Sequence, residues 1–346
     1  MKGNENGVTI SLCMIVKNEE EVLKRCLDSI KDLVDEIIIA DTGSTDATRD
    51  IALKYTDKVY DFQWVNDFSK ARNFVFSKAS CDYIYSADAD EYLDEENRKR
   101  FARLKKSLLP QIEIVQMYYC NQLESGSVYN FDRELRPKLF KRVRSFEWIE
   151  PVHETIRELP LVYDSDIEII HKPQNNHSGR DIAIFEGLAH RGEKLSKKLF
   201  SMYAKELFIS GTREEIIRAG DYFTAAAESG ELDDTGLKDA VCVVVYACYL
   251  RGDFLKMYRY ALKEIALKPA SEVCYVLGEY YLSLNDPKEA SVWYYNAAFE
   301  TDSALGLEHG GELAIAKLAQ YYRSLGDEEQ ALYYEELAEK KKNEEL

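Results

Sequence analysis

The first half of the chain alternates short apolar runs with stretches of helical periodicity. Four runs rich in β-branched and aromatic residues predict strands, at residues 8–16, 35–41, 57–64 and 82–90. Segments with an apolar residue every three or four positions separate them, as in KNEEEVLKRCLDSIKDL after the first run. Strands that alternate with helices at this spacing predict βαβ units and a parallel sheet.

The pattern changes after a basic amphipathic helix at residues 97–109. Three further β-rich runs, at 113–122, 137–143 and 161–171, predict strands of a mixed or antiparallel extension. The last run leads into HKPQNNHSGR, a polar stretch with Pro and Gly that predicts a domain boundary. We therefore expect one α/β domain at residues 1–177 and a second domain at 178–346.

The second half shows helical periodicity only. Four segments align on a short turn between helices, and the turn acids Asp253, Asp286 and Asp327 are 33 and 41 residues apart. The longer step coincides with the Gly-rich insert DSALGLEHGG. A period near 34 with LGEYY resembles the tetratricopeptide repeat, whose stacked helices form a groove for peptides or a second subunit. A plain helical bundle is the alternative.

Composition narrows the class of protein. The 346 residues are 46% hydrophobic, and a net charge of −17 argues against a general binder of nucleic acid or anionic membrane. The seven cysteines form no CxxC pair and are odd in number, which favours free thiols in a reducing cytoplasm. The first ten residues have no apolar signal region and no run reaches 18 apolar residues, so we expect no standard export signal and no membrane span.

The strongest candidate chemistry lies at the end of the fourth predicted strand, in YIYSADADEYL. Asp88 and Asp90 are two positions apart, so both carboxylates can point to one side at the carboxyl edge of the sheet. Such a pair suits Mg²⁺ or Mn²⁺. Capping of the next helix is the alternative, but Asp94 already supplies that cap. Alternation turns Glu91 away, as a supporting or solvent-exposed acid.

Two upstream positions also carry candidate chemistry. Asp41 ends the second predicted strand, where a carboxylate can accept hydrogen bonds from a base or a ribose. Asp46 is instead expected to cap the helix that follows it. Arg72, in DFSKARN, lies in a helix rich in apolar residues, so we expect it to pair with a carboxylate or a phosphate.

Four motifs together resemble the family 2 glycosyltransferases of the GT-A fold: TISLCMIVKNEE, IIIADTGSTDAT, DFSKARN and YSADADEYL, in this order and at these gaps. The similarity covers about residues 8–177. It extends to a bacterial subgroup, that of the sublancin S-glycosyltransferase, which adds a tetratricopeptide-like domain. Enzymes resembling flagellin and lipopolysaccharide-core sugar transferases belong there too. The resemblance implies a GT-A domain followed by an all-α repeat domain.

The resemblance also implies a UDP-sugar donor, Mn²⁺ or Mg²⁺, and inversion at the anomeric carbon. The sugar would be a hexose or an N-acetylhexosamine. Asp90, together with Asp88, would bind the metal that bridges the diphosphate. The implied contacts to the nucleotide sugar are the backbone of Met14, Ile15 and Val16 and the side chains of Asp41, Arg72 and Asp88.

An inverting transfer needs a base within hydrogen-bond reach of the acceptor proton. The subgroup has a Val-His-Glu element, matched here by His153 and Glu154 in WIEPVHET. We favour Glu154 as the base and His153 as a contact to donor or acceptor, and the two roles could be reversed. Family members more often have Asp at this point. His171 is a candidate third metal ligand or diphosphate contact, or else a solvated residue at a strand end.

The acceptor defines the remaining alternatives. It is either a protein or peptide, modified on Ser, Thr or Cys, or a lipopolysaccharide or other glycan. The non-enzymatic alternative is a repeat scaffold with a degenerate transferase domain, against which the complete acidic and basic motifs argue. The repeats would bind the acceptor or pair two copies of the chain. The basic stretch at 133–144 faces the diphosphate, an acidic acceptor peptide or solvent.

Overall fold

The computed structural model describes residues 7–121, 133–156, 160–172, 178–265, 269–305 and 310–345. The chain divides into two compact units, Met1–Asn176 and His177–Leu346. Half of the polar stretch in which the sequence predicts the domain boundary, residues 173–177, lies outside the described residues.

Four parallel strands form the first part of the sheet in unit one. They are β1 (Ile10–Val16), β2 (Glu36–Asp41), β3 (Val59–Asp61) and β4 (Tyr83–Ala87), in the order β3-β2-β1-β4. The helices between them are α1 (Leu23–Ile30), α2 (Thr48–Ala52) and α3 (Phe68–Phe76). These are the βαβ units that the alternating pattern predicts.

The rest of the sheet is mixed. After β4 come β5 (Glu91–Tyr92), α4 (Glu95–Ser107), β6 (Ile114–Asn121), β7 (Glu134–Lys141) and β10 (Val162–His171). The full order is β3-β2-β1-β4-β7-β6-β10-β5, and β7 is antiparallel to both β4 and β6. A separate hairpin pairs β8 (Trp148–Ile149) with β9 (Thr155–Ile156). The predicted mixed α/β domain is confirmed.

Both faces of this sheet are buried. Leu12 and Met14 of β1 pack with Leu27 of α1 on one face, while Cys13 between them packs with Val75 of α3 on the other. Successive strand residues point to opposite faces, so a strand covered on both sides must be apolar throughout. This is why the parallel strands appear in the sequence as continuous apolar runs.

The register brings the carboxyl ends of the parallel strands to one edge. Val16 lies beside Asp41, Asp41 beside Asp61, and Met14 beside Ala87, the residue before Asp88. Polar side chains that follow these strands therefore share one edge of the sheet, where open α/β sheets bind their ligands.

The second unit is all-helical, as predicted. Within the described ranges it contains α5 (Ser178–His190), α6 (Lys197–Ser210), α7 (Arg213–Glu228), α8 (Asp234–Arg251), α9 (Phe254–Ile265), α10 (Ser271–Ser283), α11 (Pro287–Tyr295), a π-helical turn (Asn296–Glu300), α12 (Glu312–Ser324) and α13 (Glu328–Glu345). In the described parts of the chain, no helix has the length and apolar character needed to cross a membrane.

Three turns between these helices share one geometry. Each contains a residue in the left-handed region, with φ of 78°, 61° and 77° at Gly252, Asn285 and Gly326. The acid that follows donates its N–H to the carbonyl five residues earlier, over 2.9, 3.0 and 3.1 Å. Its carboxylate then accepts from the amide three residues further on, at 3.1 Å in each turn. Identical turns at the aligned positions support a helical repeat.

Candidate active site

The loops after β1 and β2 are tied together at the carboxyl edge of the sheet. Asp41 is buried, and its Oδ1 accepts from the amides of Gly43 and Ser44 at 3.1 and 2.8 Å. The carbonyl of Val16 accepts from the amide of Thr42 at 3.0 Å. Asp46 accepts from backbone amides near the start of α2 and after β1, a structural role as expected.

These contacts leave one carboxylate oxygen of Asp41 available to a ligand. Its Oδ2 has no hydrogen-bond partner among the residues that the structure describes, while Oδ1 is fixed by the loop. Met14 and Val16 are buried strand residues, and Ile15 is half-buried. Their side chains pack within the domain, so a ligand at this edge would meet their backbone.

Arg72 of α3 is the centre of the next cluster. Its Nε and Nη2 donate to Oε1 of Glu154 at 2.8 and 2.5 Å, and its Nη1 donates to the hydroxyl of Ser86 at 2.6 Å. Nη2 lies 3.8 Å from Oδ1 of Asp88. Arg72 thus contacts Ser86, which is the last polar residue of β4, Asp88 of the acidic motif, and Glu154, the favoured base.

The side chains of Arg72 and Glu154 are both largely buried. Its guanidinium lies over the ring of Trp148, 4.8 Å from the ring centre. Burial opposes the charge of Arg72, but Glu154 and Asp88 outweigh it and raise the pKa of Arg72 above its ordinary value. The sequence predicts that Arg72 pairs with a carboxylate or a phosphate, and the carboxylate here is Glu154.

Helix α3 also fixes the backbone of the segment that carries Glu154. The side-chain amide of Asn73 donates to the carbonyl of Trp148 and accepts from its N–H, both at 2.9 Å. The amide of Phe68, at the start of the helix, donates to the carbonyl of Pro151 at 2.8 Å. The DFSKARN motif therefore holds residues 148–154 at three points, which explains why Arg and Asn occur there side by side.

Glu154 is held by one oxygen only. Both bonds from Arg72 reach Oε1, and in the described part of the chain no group donates a hydrogen bond to Oε2. His153, the neighbouring candidate, has a left-handed backbone with φ of 48° in the turn between β8 and β9. A carboxylate that is anchored through one oxygen keeps the other for a proton.

Asp90, the second acid of the acidic motif, lies beside His171. Oδ2 of Asp90 is 2.9 Å from Nε2 of His171, and both side chains are largely buried. Their segments are joined because β5 and β10 pair antiparallel, with His171 beside Glu91. The side chain of Asp88 is 51% exposed and is open to a ligand.

The fit to a divalent cation can be tested on these residues. Among the described residues, no group of three or more His, Cys, Asp or Glu side chains is arranged to hold a metal ion. Asp90 offers a carboxylate oxygen and His171 an imidazole nitrogen only 2.9 Å away, so one ion would meet both groups. Mg²⁺ usually takes one or two protein ligands and completes its shell with phosphates and water. The pair therefore fits a metal that arrives with a diphosphate.

Glu91 differs from one sequence expectation. Of the two roles considered, solvent exposure is wrong, because the side chain is 1% exposed. Its oxygens accept from Nζ of Lys138, on β7, at 2.6 and 2.8 Å. Burial raises the pKa of Glu91 to about 7 against the opposing effect of Lys138. Desolvation likewise opposes the charge of Asp88, but Arg72 and Lys138 hold the pKa of Asp88 below its ordinary value.

Sequence reasoning missed two members of this site. Lys138 is hidden in the basic stretch 133–144, and among the basic residues of that stretch it alone is buried. For Trp148 the sequence predicts a buried aromatic residue but not its contact with Arg72. Other side chains of the stretch pair locally: Arg136 lies over the ring of Tyr119, 3.9 Å from its centre, and bonds Glu134.

Residues 11–155 match the family model described as "Glycosyl transferase family 2". The match covers most of the first unit and agrees with the resemblance that the four motifs indicate. The match includes the acidic motif, Arg72 and Glu154, and it ends before His171. The match covers 145 of the 346 residues and does not reach the helical unit.

Two curated relatives are similar to parts of this chain. A TPR repeat-containing protein of Synechococcus elongatus is 37% identical over 147 residues, which are 42% of this chain and 35% of that protein. The SPbeta prophage-derived glycosyltransferase SunS of Bacillus subtilis is 30% identical over 223 residues, 60% of this chain and 51% of that protein. The chain thus spans about half, or less, of the length of these relatives.

Solved structures with a similar arrangement are distant. TarS of S. aureus, residues 1–349, has a TM-score of 0.38 and 14% identity over 83% of this chain and 90% of that one. Glucosyl-3-phosphoglycerate synthase of Mycobacterium tuberculosis, solved with Mn²⁺ and UDP-glucose, has a TM-score of 0.40 and 15% identity over 55% and 82%. Similarities of this size carry no inference about the function of this chain.

Proposed function

We propose that this protein is a metal-dependent, inverting glycosyltransferase that moves a hexose or N-acetylhexosamine from a UDP-sugar to a protein or peptide. The observation that carries the proposal is the Arg72 cluster. One guanidinium contacts Asp88, at the donor side of the site, at 3.8 Å and Glu154, the candidate base, at 2.8 Å. Asp88 on the donor side and Glu154 on the acceptor side then both contact the side chain of Arg72.

The donor side follows from the edge of the sheet. The backbone from Met14 to Val16 and the free oxygen of Asp41 would hold the uridine, and Asp88 would face the ribose or the metal. Asp90 and His171 would bind Mn²⁺ or Mg²⁺, which neutralises charge on the leaving diphosphate when bound. Arg72 adds a fixed positive charge beside Asp88.

The acceptor side follows from the geometry of Glu154. The acceptor oxygen or sulfur attacks the anomeric carbon, the bond from that carbon to the diphosphate oxygen breaks, and UDP leaves. Oε2 of Glu154 takes the acceptor proton, while Arg72 keeps Oε1 in place. A thiol acceptor requires less of this base because a few per cent of a thiol is already thiolate at pH 7. His153 would contact the donor or the acceptor.

The nature of the acceptor rests on the helical unit. Stacked helical hairpins form extended surfaces suited to polypeptides, so we propose a Ser, Thr or Cys side chain of a protein or peptide as the acceptor. The same surface could pair two copies of the chain. All seven cysteines are free, which supports a reducing compartment, the cytoplasm.

A donor screen with an Asp90→Ala variant tests the proposal. UDP-sugars are added to the full chain with and without Mn²⁺, and the melting temperature and the rate of UDP release are measured. We expect stabilisation by one UDP-sugar that requires Mn²⁺. Asp90→Ala should lose the metal-dependent shift and at least about 10²-fold of the rate, because metal stabilisation of the leaving group is worth several kcal/mol.

The matched control is Asp57→Asn, at an exposed acid of the same unit, which should behave as the wild type. If no UDP-sugar stabilises the wild type, the donor assignment is wrong and the scaffold hypothesis gains. Full metal-dependent activity of Asp90→Ala would exclude Asp90 as a ligand.

A further inference from the structure

Arg25 of α1 has contacts that its sequence position does not predict. Its Nη2 donates to the carbonyl of Lys172 at 2.8 Å and to the carbonyl of Asp90 at 3.2 Å. The guanidinium carbon lies 4.9 Å from the centre of the Tyr92 ring. One guanidinium nitrogen therefore joins the loop before β5 to the residue after β10.

These two carbonyls belong to the backbone of the candidate metal site. Asp90 supplies one candidate ligand itself, and Lys172 directly follows His171, which supplies the other. The amide of Lys172 also donates to the carbonyl of Asp90, at 3.1 Å. The short pairing of β5 with β10 covers only two residue pairs, so it constrains this junction weakly. Arg25 adds a third connection, from a helix.

The environment of Arg25 indicates a fixed side chain. Its Nε is buried without a hydrogen-bond partner among the described residues, which is the cost of placing a guanidinium at this point. A guanidinium presents several donors in a rigid plane, so it can hold two carbonyls at a set separation. A solvated surface arginine would show neither the burial nor the shared donor.

We propose that Arg25 is a positioning residue for the metal site: it fixes the distance between the segments of Asp90 and His171 so that both ligands face one ion. This inference rests on the proposed function. Groups that orient metal ligands typically contribute 10- to 100-fold to metal affinity. Arg25 touches neither of the ligating atoms, so its effect would be on metal binding and not on the chemical step.

The test measures Mn²⁺ binding to the full chain by electron paramagnetic resonance at a fixed excess of UDP, with a UDP–Mn²⁺ blank. For Arg25→Ala we expect the dissociation constant of Mn²⁺ to rise about 10- to 100-fold. Arg25→Lys should recover part of this loss, since the ammonium keeps the charge and the N–H donors on a shorter side chain. The rate of transfer at saturating Mn²⁺ should stay within about threefold of the wild type, which a general structural defect would not allow.

Lys24→Ala is the matched control. Lys24 is the preceding residue of the same helix, its side chain is 70% exposed, and it pairs with Asp28. If Arg25→Ala binds Mn²⁺ as tightly as Lys24→Ala, the inference is wrong while the proposed function stands. If the wild type itself binds no Mn²⁺ with UDP, both are wrong. Should Arg25→Ala fail to fold, an unchanged Mn²⁺ affinity in folded Arg25→Met, which keeps a long side chain without a donor, would also overturn the inference.

Discussion

Glu154 in the first unit and Glu272 in the second are both buried or nearly buried carboxylates, but their oxygens are satisfied differently. Glu272, on α10, is completely buried and accepts from the hydroxyl of Ser303 at 2.6 Å and from the amides of Ala304 and Leu305 at 3.0 and 2.7 Å. Both of its oxygens are used. Glu154 accepts from Arg72 through Oε1 alone.

The difference separates a structural role from a chemical one. The donors to Glu272 are in the loop after the π-helical turn, so this carboxylate anchors the Gly-rich insert that lengthens one repeat. No capacity is left for a ligand. Glu154 has an anchored oxygen and an open one, which is the arrangement that a general base requires. Exchanging each acid for its neutral isostere should therefore affect different properties.

Glu154→Gln is expected to have the largest effect. The amide cannot take the acceptor proton, so the transfer rate should fall by about 10²- to 10⁴-fold while the UDP-sugar still binds. Steady-state kinetics and the donor-induced rise in melting temperature measure the two quantities. Glu147→Gln, at an exposed acid of the same segment, is the control and should be neutral. Equal loss of donor affinity would show that Glu154 binds the donor instead.

The sequence predicts the role of Glu154 better than that of Glu91. WIEPVHET identifies Glu154 by resemblance, and Arg72 is predicted to pair with an acid or a phosphate. That Glu154 is this acid depends on contacts between residues 82 positions apart, which no local pattern contains. Glu91 fails for the same reason, because its buried ion pair with Lys138 joins residues 47 positions apart.

The fold could be predicted from the sequence more completely than the site. Continuous apolar runs predict the parallel strands because burial on both faces demands them. The repeat turns follow from Gly or Asn before an acid, as at Gly252 and Gly326, because only a few residue types adopt positive φ easily. Arg25 has no such local signature. It follows Lys24 on a helix and looks like any charged surface residue until the backbone of Lys172 is placed beside it.

Glu272→Gln is expected to affect stability and not transfer. Its amide nitrogen would face N–H donors that now have no acceptor, and the charge-assisted bonds are lost, so the free energy of unfolding should fall by about 3 kcal/mol. Calorimetry of the full chain measures this loss, and the rate of transfer at 20 °C should be unchanged. Glu300→Gln, at an exposed acid nearby, should cost less than about 0.5 kcal/mol. A stable Glu272→Gln variant would mean that the insert is anchored elsewhere.

Glu206 extends the comparison to a carboxylate with almost no donors, and its effect should appear only as pH rises. This α6 residue is 5% exposed, and its Oε2 accepts only a long bond of 3.4 Å from Ser210 among the bonds formed by the described residues. Burial, with a contribution from Asp181, raises the pKa of Glu206 to about 7 from 4.5. The folded chain therefore holds a proton that the unfolded chain releases between these pH values.

The sign of the pH dependence follows from this proton. Because the folded state binds the extra proton, stability falls as pH rises from about 4.5 to about 7 and stays low above that range. Glu206→Gln removes the penalty: it should match the wild type near pH 4.5 and be more stable at pH 8 by up to about 3 kcal/mol. Calorimetry of the full chain at pH 5, 6, 7 and 8 measures the difference, with exposed Glu214→Gln as the control. A difference that does not change with pH would show that Glu206 is ionised in the fold, and that burial alone does not decide the charge of an acid with so few donors.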